Sequence, residues 1–270
     1  MKKQLVFPAL AVGGGAAALA LRLAQNRTGF EADTGLAIPG NVPALALTAL
    51  GILLSAALLI LLRRLPKGEA ASFPASFSTK ERTFLTLPVM GCLLMLLSGG
   101  ADLAAGLDIA GRTVFSDQFH LILGALSILS ALGLILCLSD CRGEKQAEGK
   151  ESNGVMLLPV IVMLVMRLVV TYRLCSIDPT SEGYVIEILS LLFLTMGFFR
   201  LSAFAFGEGK PLSFTFFAVM ATVFSLTSAA DFGTHIFALS SVLLYVGGGT
   251  ALLGFLLLYL NCEQGSPSED

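Results

Sequence analysis

The chain has 270 residues, 55% of them hydrophobic and only 13% charged, about half the charged share of an ordinary soluble domain. So apolar a chain has too little polar surface to cover a core in water, and at a formal charge of −2 it offers nucleic acid no basic patch. The expected partner is a lipid bilayer, and the expected fold class is an all-α integral membrane protein.

A hydrocarbon core about 30 Å thick needs about 20 apolar residues of helix. Eight stretches qualify: 5–24, 42–62, 83–101, 119–138, 155–174, 184–206, 212–230 and 236–260. Five of them, all but 5–24, 155–174 and 184–206, carry no Asp, Glu, Lys or Arg.

The first stretch follows Lys2 and Lys3, as a secretory signal would, and contains Pro8 and Gly13–Gly15. It reads as a retained anchor, because a span in the second half matches it. The connection 25–41 is polar and turn-rich, with Gly29, Gly35, Pro39 and Gly40. The connection 63–82 holds five basic residues with Pro66, Gly68 and Pro74, and reads as a flexible linker. The third span closes on Asp102. The fourth opens at His120, near Asp117. The fifth carries Arg167 and ends at Arg173, and the sixth opens near Glu187 and carries Arg200 toward its other end. The seventh closes on Asp231, and the eighth opens at His235 and contains Gly247–Gly249.

The basic residues set an orientation, because cytoplasmic connections are enriched in Lys and Arg. With the N-terminus inside, the inner segments hold twelve of the 17 and the outer segments hold Arg22, Arg27, Arg112 and Arg173. Both termini are therefore expected in the cytoplasm and the membrane is expected to be the plasma membrane. The five cysteines, at 92, 137, 141, 175 and 262, show no zinc spacing and read as reduced packing residues.

The second half echoes the first. Leu97-Ser98-Gly99-Gly100-Ala101-Asp102-Leu103 aligns with Leu226-Thr227-Ser228-Ala229-Ala230-Asp231-Phe232, and Thr86 and Thr215 keep the same offset. Leu132–Cys141 aligns with Leu253–Cys262, and Leu21-Arg22-Leu23 with Tyr172-Arg173-Leu174. These matches occur in one order and predict a four-plus-four duplication: a first repeat over 1–141, a cytoplasmic linker over 142–154, a second repeat over 155–262 and an acidic cytoplasmic tail over 263–270. An even number of spans per repeat makes the two halves parallel.

Polar groups inside lipid are costly and need a reason. Arg167 lies well inside its span, and Glu187 is its expected partner, since it starts the next antiparallel helix at a similar depth. This pair, Arg167 and Glu187, is the candidate intramembrane site. A candidate outer cluster comprises Asp102, Asp231, His120, His235, Arg22 and Arg173. There the aspartates mark the water boundary or form a site with the arginines, and each histidine has an acid nearby in sequence. The glycine triplets predict close helix packing, with broken helices as the alternative.

No His-Glu-x-x-His, Walker A, Rossmann or Gly-x-Ser-x-Gly motif is present. The chain therefore calls for no catalytic residue, metal or cofactor, and no enzyme activity is expected. The expectation is a small-solute or ion permease, whose partner is an unknown solute. The alternative is a non-transporting receptor, accessory subunit or scaffold, with a membrane-protein partner. An intramembrane hydrolase built on Asp102 and Asp231 ranks last.

Overall fold

The structure, a computed structural model, describes residues 5–31, 33–34, 36–64, 73–79, 81–108, 115–141, 153–175, 184–232 and 239–265. Nine α-helices lie among the described residues: α1 (Val6–Thr28), α2 (Val42–Arg63), the short α3 (Phe73–Phe77), α4 (Thr83–Asp108), α5 (Phe115–Asp140), α6 (Leu158–Cys175), α7 (Tyr184–Ala205), α8 (Pro211–Ser228) and α9 (Leu239–Gly265). All but α3 are long and apolar enough to cross a membrane. Each coincides with an expected span. This is a multi-pass, all-α membrane fold.

The starts and ends follow local chemistry. Asn41 caps α2, its Oδ1 accepting from Ala44 N at 3.2 Å, with Pro43 in the first turn, where a missing N–H costs nothing. Pro211 opens α8 in the same way. Several helices run past their apolar stretches, among them α1, to Thr28, and α4, to Asp108. In α1, Arg22 and Asn26 find partners inside the bundle, as Asp102 does in α4, so these turns stay helical.

Eight crossings return the chain to the face on which it began; we call this the termini face and its opposite the far face. α9 is the centre of the bundle, with 72% of its spanning window buried against 17% for α2. It packs most extensively on α4, then on α8, and α4 packs in turn on α5, α7 on α8, and α1 on α8. The two sequence halves thus interleave, since the closest helix pair takes one member from each.

That contact explains Gly247 and Gly254 of α9, while Gly248 faces Leu194 of α7 and Gly249 faces Ser225 of α8. α4 and α9 meet backbone to backbone: a Cβ on Gly91 would stand 2.5 Å from Ala251 N and 2.6 Å from Gly247 O. α1 and α9 run unbroken through their glycine triplets, so close packing is the outcome and the broken-helix alternative falls. Gly91→Ala is expected to push the two helices apart at a cost of about 1–3 kcal/mol, read as a lower melting temperature in detergent. Gly13→Ala is the control, because a Cβ there meets nothing within 4 Å, and it should leave melting unchanged.

The connection 63–82 corrects an expectation. Residues 65–72 and 80 lie outside the described residues, but 73–79 is no flexible linker. Phe73 and Phe77, one turn apart on α3, are fully buried. Phe77 sits edge-on to Phe204 at 5.2 Å, Phe214 at 5.7 Å and Phe255 at 5.8 Å. Thr79 N donates to Cys141 O at 3.0 Å, and Asn261 Nδ2 to Thr79 Oγ1 at 3.5 Å. Two phenylalanines at helical spacing fasten this segment under the ends of α5, α7 and α9 and the start of α8. The side chains of Cys92, Cys137 and Cys141 are buried in the same apolar core.

Candidate functional site: a buried charge network in the far half of the bundle

Arg167 lies about 12 Å from the far end of α6 and Asp102 about 9 Å from the far end of α4. Both are buried, at 5% and 2% exposure. Arg167 Nη1 donates to Asp102 Oδ2 at 2.8 Å and its Nη2 to Ser241 Oγ on α9 at 2.6 Å. His120 on α5 brings its Nδ1 to 3.4 Å from Asp102 Oδ1. Ser98, one turn before Asp102, donates to the carbonyl of Ser240 at 2.6 Å. Four helices, α4, α5, α6 and α9, therefore converge on one ion pair.

The expected Arg167–Glu187 pair is corrected by this geometry. Glu187 is buried on α7, but its carboxylate accepts from the hydroxyl of Tyr245 on α9. Ser241 and Tyr245 lie four residues apart, on one face of α9. That face receives Arg167 at one turn and Glu187 at the next. The two charges still act on each other through space, so they belong to one cluster without being salt-bridge partners. Depth alone favoured Glu187. The arginine's side chain turns away from its sequence neighbour, toward α4 and α9.

A second pair stands beside the first. Arg22 Nε on α1 donates to Asp231 Oδ1 at 2.9 Å, where α8 ends in a short 3₁₀ turn over Ala229–Asp231. Asn26 Nδ2 joins the same oxygen at 2.9 Å and the carbonyl of Ala230 at 3.2 Å. Arg22 Nη1 also donates to Gln25 Oε1 at 2.9 Å. Arg22 and Asp231 are 3% and 2% exposed. Neither aspartate marks a water boundary, as the sequence allowed. Each is enclosed because a guanidinium offsets the cost of leaving water.

The remaining candidates divide. His120 meets Asp102; the side chain of Asp117, its neighbour in sequence, lies outside the described residues, as does His235. Arg173 is exposed near the far end of α6, apart from the two aspartate pairs. Arg200 is half-buried on the termini side of α7, its guanidinium carbon 5.8 Å from the Phe199 ring centre. Among the described residues no three His, Cys, Asp or Glu side chains converge as a metal site.

Tyr245, Ser241, Asn26 and Gln25 escaped sequence reasoning. A tyrosine inside a span is the signal that was available for one of them, because its hydroxyl requires a partner in lipid. No protein-family model, curated protein or solved structure matches the chain. The charge network therefore carries the functional argument by itself.

Proposed function

We propose that the protein is a plasma-membrane permease for a small solute or ion, with the buried network as its coupling site. The observation that carries this is a charge count. Among the described residues, three buried carboxyl groups, Asp102, Glu187 and Asp231, face two buried guanidinium groups, Arg22 and Arg167. A structural lock needs one base for each acid. Glu187 is the extra acid, held by a tyrosine hydroxyl, and among the described residues no cation lies within salt-bridge distance of it. Such a carboxyl in a low-dielectric setting takes up a proton or a cation with modest change to its neighbours, which is what a coupled carrier requires.

The finer architecture belongs to the same proposal: both termini cytoplasmic and two parallel four-helix repeats. The lysine and arginine bias supports the orientation. The sequence matches support the repeats; the two ion pairs cross between the halves reciprocally, but in the alignment Arg22 faces Arg173 and not Arg167, so they follow the repeat only at the aspartates. Arg22, on the first helix of the first half, reaches Asp231 of the second half. Arg167, on the first helix of the second half, reaches Asp102 of the first. Against strict symmetry, the close pairing of α4 with α9 has no comparable counterpart between α8 and α5.

One observation favours the alternative of a non-transporting receptor, accessory subunit or scaffold: the guanidinium of Arg167 is sealed by Asp102 and Ser241. The hydrolase reading gains nothing, because two catalytic aspartates would share a proton, whereas here each accepts from its own arginine.

Water access separates the two main readings. Ser241→Cys and Ser190→Cys, introduced singly and exposed on intact cells to a membrane-impermeant thiol reagent, are expected to react. Relative to an exposed control cysteine, which takes out the pH dependence of the thiolate itself, the rate is expected to change several-fold across the titration of a carboxyl group in the native background, and that extra change is expected to vanish with Glu187→Gln. No reaction at either position would leave the network as a lock and the permease reading without support.

A further inference from the structure

The loosest packing in the bundle surrounds α2, which rests on α1 and touches α8 only lightly. Between α2 and α7 lies a cavity of about 540 Å³. Its α2 wall is Ala44, Leu47, Thr48, Gly51, Ile52 and Ser55, the three-and-four spacing of a single helix face. Across it stand Ile186, Leu189 and Phe193 of α7, and Phe193 stacks on Phe224 of α8 with centroids 5.0 Å apart and planes 4° apart. At the rim, Ile52 and Val185 are 65% and 49% exposed. An apolar rim on two spanning helices opens into hydrocarbon rather than water.

The dimensions name the occupant. Ala44 to Ser55 is twelve residues of helix, about 16 Å of rise from the first Cα to the last, which matches about half of a 30 Å hydrocarbon core. The cleft thus covers one leaflet, the one on the far face. A helix from another protein, about 10 Å across, would need more than twice this volume over that length. A second cavity of about 290 Å³ shares Gln25, Ala44 and Thr48 with the first and continues above it, against Gly29, Gly40 and Asn41 of the connection between α1 and α2. Arg22 and Gln25, hydrogen-bonded to each other, stand in the wall of the deeper cavity. The two spaces form one amphipathic slot, apolar below and polar on top.

We infer that this slot is a binding site for a phospholipid of the far leaflet. One acyl chain lies between α2 and α7 against the Phe193–Phe224 stack. The ester and headgroup oxygens lie beside Gln25, Thr48 and Asn41. A chain moving from bulk lipid into the slot gains nothing from the hydrophobic effect, since it leaves one hydrocarbon for another. Selectivity comes from contact with the aromatic floor and from donors near the top. The site touches the charge network at Arg22 but does not depend on the permease reading.

The test uses the full chain in vesicles of phosphatidylcholine and phosphatidylglycerol, doped with phosphatidylcholine carrying a photoactivatable group in mid-chain. Adducts are mapped by mass spectrometry. They are expected on Leu47, Ile52 and Ser55 of α2 and on Ile186, Leu189 and Phe193 of α7, several-fold above those at Leu53, which is exposed outside the cavity lining. Gly51→Phe fills the slot with little strain, because a Cβ at Gly51 meets only Phe224 Cζ, at 3.9 Å. It should cut the adducts several-fold, whereas Leu53→Phe should not. If Gly51→Phe does not fold, Ile52→Trp at the exposed rim takes its place. Adducts spread evenly around α2, or unaffected by a folded blocking variant, would overturn the inference in favour of ordinary surrounding lipid. Cross-linked dimers through this face would overturn it in favour of a second copy of the chain.

Discussion

Asp102→Asn is expected to destabilise the folded protein by about 3–5 kcal/mol, the usual consequence of leaving one member of a buried ion pair without the other. The substitution keeps the volume and removes the charge, so Arg167 is left enclosed with a hydroxyl and an amide for company. In detergent the melting temperature should fall by an amount on the order of 10 °C. Arg167→Met should cost a similar amount, because Asp102 would then retain only His120, a side chain 32% exposed. The double variant Asp102→Asn/Arg167→Met removes both charges together and should recover most of the loss. That recovery distinguishes an ion pair from two residues that simply pack well. If the double variant melts as low as the sum of its parts, the pair is not what holds α4 and α6 together. Glu187→Gln should be mild by comparison, since an amide oxygen still accepts from Tyr245.

Phe77→Ala is expected to cost about 3–5 kcal/mol, the range for emptying a large aromatic site in a packed interior. In a membrane protein little of this is hydrophobic transfer. The cost is the loss of ring-to-ring contact with Phe204, Phe214, Phe255 and Tyr259, and the void that remains. Phe77→Leu, which keeps an apolar group in the site, should lose less. The check is thermal melting together with proteolysis between α2 and α4. Destabilised Phe77→Ala should be cut there faster than the native chain. A variant cut no faster and melting normally would mean that α3 rests on the bundle without supporting it.

What could be read from the sequence followed from solvent. Lipid demands about 20 apolar residues per crossing, and every such run became a helix with ends close to those expected. Arg167, Asp102, Asp231 and Glu187 were conspicuous for the same reason, because a charged group in hydrocarbon stands out against its neighbours. Their pairing could not be read. It depends on which helices adjoin, and Arg167 had two antiparallel neighbours in sequence, α5 and α7, but found its acid on α4. The spacing of Ser241 and Tyr245 was visible but carried no meaning until α9 was seen at the centre. Phe73 and Phe77 were hidden by composition. Prolines, glycines and basic residues around them gave the segment the look of a linker, and two apolar side chains one turn apart were enough to bury it.

The central position of α9 has a mechanical consequence. Its 27 residues run unbroken, a rod about 40 Å long. Ser241 and Tyr245 are engaged near one tip, Phe255 and Tyr259 near the other, and the stretch between them bears directly on the backbone of α4. A rigid rod gripped at both tips cannot slide or turn at one without disturbing the other. Any event that loosens Tyr245 from Glu187 is therefore felt by the aromatic cluster around Phe255 and Tyr259, about 15–21 Å along the helix.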